Sequence, residues 1–157
     1  MKSREVKFKG GIDVQFVSET PQINTFKCIV QAKARTPVPH YHEKFDEKVT
    51  ALVGTTTVTI DGKTTKLAAG NSALIPRGAV HQIANTTNET IEFLCEITPG
   101  IFGYEYFHDI EGIVNVEGPP DIDRFMAVMR NHGLVPVLGL KHKLIFAIVK
   151  VVQQLRR

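Results

Sequence analysis

From Val6 to Thr98 apolar and polar residues alternate with a period of two, broken at short intervals by glycine, proline, asparagine and aspartate. Successive side chains of a strand point to opposite faces, so this rhythm predicts a series of half-buried strands. Ile12, Val14 and Phe16 alternate with Asp13 and Gln15, and Phe26, Cys28, Val30 and Ala32 share a face opposed by Lys27, Gln31 and Lys33. Val58 and Ile60 alternate with Thr57 and Thr59; Asp61-Gly62, suited to the positive φ angles of a tight hairpin, then returns the chain through Thr64 to Leu67. Ile91, Phe93, Cys95 and Ile97 close the series, with Glu92 and Glu96 on the other side. Many short strands joined by hairpins, without the strand–helix alternation of a parallel sheet, predict an all-β sandwich or small barrel.

Beyond Thr98 the rhythm changes. Ile101 to Ile110 is rich in aromatic residues, and as an extended segment it would place Phe102, Tyr104, Tyr106 and His108 on one face. Such a face lines a pocket, adds an edge strand or pairs across a dimer, and it makes His108 a candidate support for a metal ligand. Pro119-Pro120-Asp121 opens a helix whose apolar positions Ile122, Phe125, Met126 and Met129 fall on one side and which Gly133 stops. The division expected is therefore a β-barrel domain over residues 1–118 and a helical extension over residues 119–157.

A second helix is predicted after Pro136, from about Leu140, with Leu144, Ile145, Ile148, Val151, Val152 and Leu155 along one stripe. Phe146, Ala147 and Val149 interrupt its other side, made by Lys143, Lys150, Gln153 and Gln154. A helix so apolar needs a cover: the barrel wall, a second protomer or a membrane surface, the last suggested by Lys141, Lys143, Lys150, Arg156 and Arg157. Packing on the barrel or a partner chain is the preferred reading, with a homodimer expected. No stretch of about twenty residues is free of charge, which disfavours a membrane span.

Composition narrows the class. The 157 residues suffice for one core, and 43% hydrophobic with 22% charged residues is ordinary for a globular domain. A net charge of +3, with charges scattered except at the C-terminal end, disfavours a nucleic-acid partner. Met1 to Lys9 lacks the apolar run of a secretory leader. Two cysteines, Cys28 and Cys95, make no disulfide framework, and a reducing cytoplasmic location is expected. Both fall on apolar strand faces, where a thiol behaves as a small hydrophobe more often than as a ligand or nucleophile.

Candidate chemistry lies between His40 and Asn85. On a strand His40 and His42 share a face, with Tyr41 on the other and packed outside. Glu47 shares its face with Val49, Ala51 and Val53, an arrangement costly for a carboxylate unless it is paired or metal-bound. His81 and Ile83 read as one face of a later strand, reached through a Pro76-Arg77-Gly78 turn that aims His81 inward. Three imidazoles and a carboxylate suit Zn, Fe, Mn, Ni, Co or Cu, and rigid strands would leave coordination positions open. The small Ala51 leaves room for a cavity beside such a metal. Arg77 is either an anchor for an anionic substrate or a solvated turn charge, Phe45 either gates the mouth or packs on a neighbouring strand, and Asn85 is expected to hydrogen-bond backbone at a strand end.

At these positions the sequence resembles the cupin superfamily. The spacing His, one residue, His, four residues, Glu, six residues, Gly of His40, His42, Glu47 and Gly54 fits its first motif, whose opening glycine is Ala34 here. Gly70, Pro76, Gly78, His81 and Asn85 fit every position of the second, after a spacer of fifteen residues. The resemblance implies a cupin-like jelly-roll β-barrel in which His40, His42, Glu47 and His81 bind one divalent transition metal ion. It further implies a metal-dependent protein acting on a small organic molecule, with dioxygenase-type oxidation ranked first and Glu47 as proton acceptor, and isomerase or decarboxylase chemistry as the alternative. A non-catalytic small-molecule binding or sensor module is a further reading. Regulatory relatives usually carry a DNA-binding helix-turn-helix, for which this sequence has no N-terminal counterpart, and a purely structural role leaves the retained ligands without use.

Overall fold

The alternating segments form strands because each has one face to bury. The computed structural model describes residues 4–36 and 38–155. Its elements are β1 (Glu5–Phe8), β2 (Ile12–Glu19), β3 (Asn24–Val30), β4 (His40–His42), β5 (Asp46–Val53), β6 (Thr55–Ile60), β7 (Lys63–Ala68), β8 (Ser72–Ile75), β9 (His81–Ala84), β10 (Ile91–Thr98), α1 (Tyr104–Val114), α2 (Ile122–Asn131), β11 (Leu134–Pro136) and α3 (Leu140–Leu155). One sheet runs β1-β2-β3-β10-β5-β8 and the other β11-β4-β9-β6-β7, and the pairs within them are antiparallel. This is the expected all-β jelly roll with helices at its C-terminal end.

The period-two reading holds strand by strand. Val14 and Phe16 on β2, Phe26, Cys28 and Val30 on β3, and Ile91, Phe93, Cys95 and Ile97 on β10 all point into the core. Asp61 and Gly62 adopt φ of 46° and 81° and close the β6–β7 hairpin between Ile60 and Lys63, as their chemistry required. One face assignment changes. A register shift opposite Glu92 and Phe93 turns the end of β5 outward, so Val53 is exposed while Glu47, Val49 and Ala51 stay buried.

The aromatic segment is not extended. Residues 104–114 form α1, and the spacing of its buried residues, Tyr106, Ile110 and Ile113, is helical. Phe102 and Tyr106 turn inward, whereas Tyr104 and His108, one helical turn apart, stack on each other at 5.5 Å on the outer side. The segment reaches this place because the chain passes close to β2 and β3 first: a Cβ at Gly100 would collide with the Thr20 carbonyl oxygen. Helix therefore begins at Tyr104, ahead of the boundary drawn at 118.

In α2 the expected features recur. Asp121 accepts a hydrogen bond from the Arg124 amide at 3.0 Å, Ile122, Phe125, Met126 and Met129 are buried, and Gly133 leaves the helix with φ 79°. The three residues after it form β11, which the sequence pattern did not suggest. β11 pairs with β4, setting Leu134 opposite His42 and Pro136 opposite His40.

The apolar stripe of α3 does not pack on the barrel. Leu144, Ile145, Ile148, Val151 and Leu155 are exposed, and the helix meets the rest of the protein through Phe146 and Val149 instead. Gln153 fixes it from the same side, its amide donating to the Pro120 carbonyl at 2.6 Å, while Lys150 pairs with Asp123 at 2.6 Å. The residues taken from the pattern as interruptions of a polar face are thus the anchors. Arg156 and Arg157, which contributed to the basic end, lie outside the described residues. Among the described residues no helix is long and apolar enough to cross a membrane.

Candidate metal centre

Two strands deliver the three histidines. His40 and His42 occupy alternate positions of β4, and His81 opens β9 directly opposite His40. The turn before β9 is held in register by backbone bonds: the Ala79 amide donates to the Pro76 carbonyl at 3.1 Å, and the Gly78 amide, at φ 83°, donates to the His42 carbonyl at 2.8 Å. The turn that carries one ligand is thus tied to the strand that carries the other two. Arg77 does not reach into the barrel. Its guanidinium and its amide all donate to Asp46, with contacts of 2.8–3.2 Å, so it is a turn clamp and not an open anion anchor.

One donor nitrogen from each of His40, His42 and His81 lies within 4.8 Å of the others. Glu47 Oε2 on β5, in the opposite sheet, is 3.7 Å from His42 Nε2 and 3.5 Å from His81 Nε2. All four residues are at most 9% exposed. Separations of roughly 3 to 4 Å are what donors about 2.0–2.2 Å from a common ion require. The backbone sets which nitrogen faces inward: His40 Nδ1 lies 3.1 Å from the Val38 carbonyl and His81 Nδ1 3.0 Å from the Ala79 carbonyl. Protonated there, both rings turn an Nε2 lone pair toward Glu47 and each other. His81 Nε2 is buried and makes no hydrogen bond, being near the carboxylate without aligning on it. An orphaned imidazole nitrogen beside a carboxylate and two further imidazoles fits a divalent transition metal.

The electrostatics agree with that fit. Burial, with help from the neighbouring His81, lowers the His40 pKa to about 4, and burial lowers that of His42 to about 3 against the pull of Glu47. Both rings are neutral donors at neutral pH. Burial also pushes Glu47 toward protonation, but His81 and His42 outweigh it and hold its pKa at about 2. His81 is the exception, since Glu47 raises its pKa despite burial. Without an ion, Glu47 thus favours the protonated form of His81.

Around the donor set Phe45 takes the packing alternative, the cysteines lie on inward faces as expected, and His108 departs from expectation. Phe45 is fully buried and stacks on the His42 ring at 4.2 Å and on Phe102 at 5.0 Å, so it is packing that orients a ligand and not a gate. His108 is exposed on the outer side of α1, beside Glu111, and supports no ligand. Cys28 and Cys95 both face the interior, and Cys95 lies within hydrogen-bonding reach of Cys28 and Glu47; burial, first, and these neighbours push its thiol pKa well up. Asn85 behaves as expected: 1% exposed, its amide donates to the Val30, Gln31 and Glu89 carbonyls and its oxygen accepts from Thr87.

The four donors open onto a cavity of about 330 Å³ lined by both sheets, α1 and α2. Phe26, Phe93, Phe102, Phe107, Phe125 and Met129 are among its walls.

Comparison with known proteins places this architecture. Residues 26–96 match the model of the cupin domain. Residues 26–96, which carry all four donors, form a cupin domain. An uncharacterized protein of Aquifex aeolicus (strain VF5) is 36% identical over 80 residues, a match covering 51% of this chain and 64% of that protein, so this cupin spans less than two thirds of that relative. Among solved structures, KdgF from Halomonas sp. aligns with a TM-score of 0.55 at 19% identity over 60% of this chain and 86% of its own. A sugar phosphate isomerase from the cupin superfamily of Silicibacter pomeroyi aligns with a TM-score of 0.57 at 20% identity, over 62% and 71% respectively. At these identities the structural likeness bears on fold alone. Within the fold, Ala34 stands where the motif has its opening glycine, and its backbone still serves the barrel, the Asn85 amide donating to its carbonyl at 2.8 Å. Phe102 and Tyr106 line the cavity, one of the roles expected of the aromatic segment, but from helical spacing and not from alternation; the stacking of Phe45 on His42, which sequence reasoning did not bring to the site, arises because Phe45 turns inward ahead of β5.

Proposed function

We propose that this cupin is a metal-dependent enzyme that converts a small organic molecule held in the cavity, with oxidation by molecular oxygen as the reaction. The observation that carries the reading is the opening of the His40, His42, Glu47 and His81 donor set directly onto that apolar space. A divalent transition metal held there would supply a Lewis-acidic or redox-active centre with free positions. His40, His42 and His81 hold the ion, and Glu47 either completes the set, for which its low pKa keeps it ionised, or accepts a proton from the substrate. The carbon walls exclude bulk water, which strengthens electrostatic interactions inside.

The isomerase and decarboxylase readings ask more of this cavity. A sugar phosphate, the substrate class named for the Silicibacter pomeroyi neighbour, needs cationic partners, and the lining outside the donor cluster offers only Arg35, which is exposed. The direct test is metal analysis of protein purified without added metal, followed by oxygen uptake with a panel of diketones, phenols and thiols. Stoichiometric metal with substrate-dependent oxygen uptake is expected; a metal-replete protein that consumes no oxygen and isomerises or decarboxylates a substrate would overturn the oxidation. Glu47→Gln keeps the shape and removes the charge: lost turnover with metal retained assigns the proton-accepting role, and loss of both assigns ligation.

A further inference from the structure

The cavity has a buried phenol that the donor set does not use. Tyr106 lines it from α1, is 9% exposed, and its hydroxyl makes no hydrogen bond among the described residues. The ring is held by Phe102 at 4.7 Å and edge-on by Phe107 at 5.1 Å, and Phe102 in turn stacks on Phe45, which stacks on His42. A continuous aromatic ladder therefore connects the ligand His42 to Tyr106 and fixes the phenol relative to the donor set. Burial pushes the phenol pKa up, so the group is a proton donor throughout the working range. Buried hydroxyls are normally paired, and one left free beside a cavity is a place for a ligand's acceptor atom.

The rest of the lining defines what carries that acceptor. Aliphatic and aromatic carbon dominates, Thr36 is half-buried, and the exposed Arg35 is the only cationic lining residue apart from the histidines. Apart from an ion held by the donor set, these walls offer a carboxylate or phosphate no buried counter-charge, whereas a carbonyl oxygen needs only one donor.

We propose that the cavity takes a neutral, predominantly apolar molecule bearing one carbonyl-type oxygen, and that the Tyr106 hydroxyl donates a hydrogen bond to that oxygen. Tyr106 is then a specificity-determining residue. A site built around a donor rejects the analogue that leaves the donor unpaired. The inference rests on the enzymatic reading for what becomes of the molecule, but not for its binding.

The test uses the full chain and three probes of similar size, acetophenone, ethylbenzene and benzoate, with affinities measured by anaerobic calorimetry so that turnover does not intervene. Acetophenone is expected to bind about five- to tenfold more tightly than ethylbenzene, the worth of one buried hydrogen bond, and benzoate most weakly. Tyr106→Phe is expected to remove the acetophenone advantage and leave ethylbenzene unchanged. Equal affinity of the two neutral probes for the wild type, preference for benzoate, or an equal loss of both in Tyr106→Phe would overturn the proposal. Infrared spectroscopy of bound, carbonyl-labelled acetophenone gives a reading that does not need the variant: a downshifted stretch that survives treatment with a chelator is expected, and an unshifted stretch, or one that chelation abolishes, counts against Tyr106. Binding intact without oxygen uptake sinks the oxidation alone; metal and oxygen uptake intact without binding of neutral probes sinks this inference alone.

Discussion

His40 and His81 are Cα partners across β4 and β9, with ring centroids 4.5 Å apart. Directly opposed residues of an antiparallel pair keep their side chains adjacent whatever the loops between them do, so sheet register itself brings these two donors together. Removing either removes a ligand. His42→Ala and His81→Ala are each expected to cut metal affinity by more than the roughly 10- to 100-fold that loss of an outer support costs, while His108→Ala leaves it unchanged. Elemental analysis after dialysis against a weak chelator checks this, and unchanged stoichiometry in both ligand variants rejects the assignment.

The shifted pKa values set a pH dependence for the metal-stripped protein. In the unfolded chain His40 and His42 take up protons near pH 6.5, but in the fold only near 4 and 3. The unfolded state thus binds more protons as pH falls, and the stability these residues contribute, complete above pH 6.5, drains away from there toward pH 4 and 3. Glu47 acts in the same sense at lower pH, its contribution declining from the ordinary carboxylate range toward 2. His81 acts oppositely: its pKa is raised, so its contribution is present below pH 6.5 and lost as pH rises through its folded value. Melting curves of chelator-treated protein should fall in temperature between pH 6.5 and 4, with the slope reduced in His40→Asn. Metal loading should stabilise more at pH 7.5 than at pH 5, because the ion displaces protons.

Asn85 matches the second motif yet holds backbone, not metal. Asn85→Ala strands several buried carbonyls and the Thr87 amide, for which a loss of about 2–4 kcal/mol is expected. The folded variant should still bind metal in full. Denaturant titration and metal content measured together separate this structural role from a ligating one.

Two faces of α3 are expected to respond differently. Phe146→Ala removes a partly buried anchor and should cost about 1–2 kcal/mol, below the roughly 3–5 of a fully buried aromatic. Ile148→Gln, at a position 56% exposed, should leave the monomer within about 0.5 kcal/mol of the wild type. The homodimer expected from sequence, if it forms through this stripe, requires Ile148→Gln to shift sedimentation toward the monomer and to make the melting temperature insensitive to concentration. Partition of the wild type onto anionic vesicles in low salt, lost in the same variant, would mark a membrane surface as the cover instead.

The barrel and its candidate ligands were legible because both depend on local periodicity. Alternation put His40 and His42 on one face, and glycine chemistry at Gly62 and Gly78 named the turns. What the pattern did not give has a common cause. Residues 102–113 contain aromatics that read equally well at period two or at 3.6, and burial of Tyr106, Ile110 and Ile113 as α1 packs against β1 and α2 decided for the helix. The turning outward of Val53 depends on a bulge against β10, and β11 on a partner strand far away in sequence; neither leaves a local trace. For α3 the stripe was real, but hydrophobicity alone does not say which side touches the protein, and the narrower edge carrying Phe146 and Val149 does.

The pairing of β11 with β4 has a consequence for how the protein is made. β4 is three residues long and meets β9 at a single register position, so it has little to hold it on that side. Its other neighbour is synthesised only after α1 and α2. Until Leu134 emerges from the ribosome, the strand bearing two of the donors has an open edge, and an unpaired edge is a template for wrong pairing. The order of synthesis thus puts completion of the strand bearing His40 and His42 after α2, so that a nascent chain interrupted before β11 would carry the sequence of the site without its geometry.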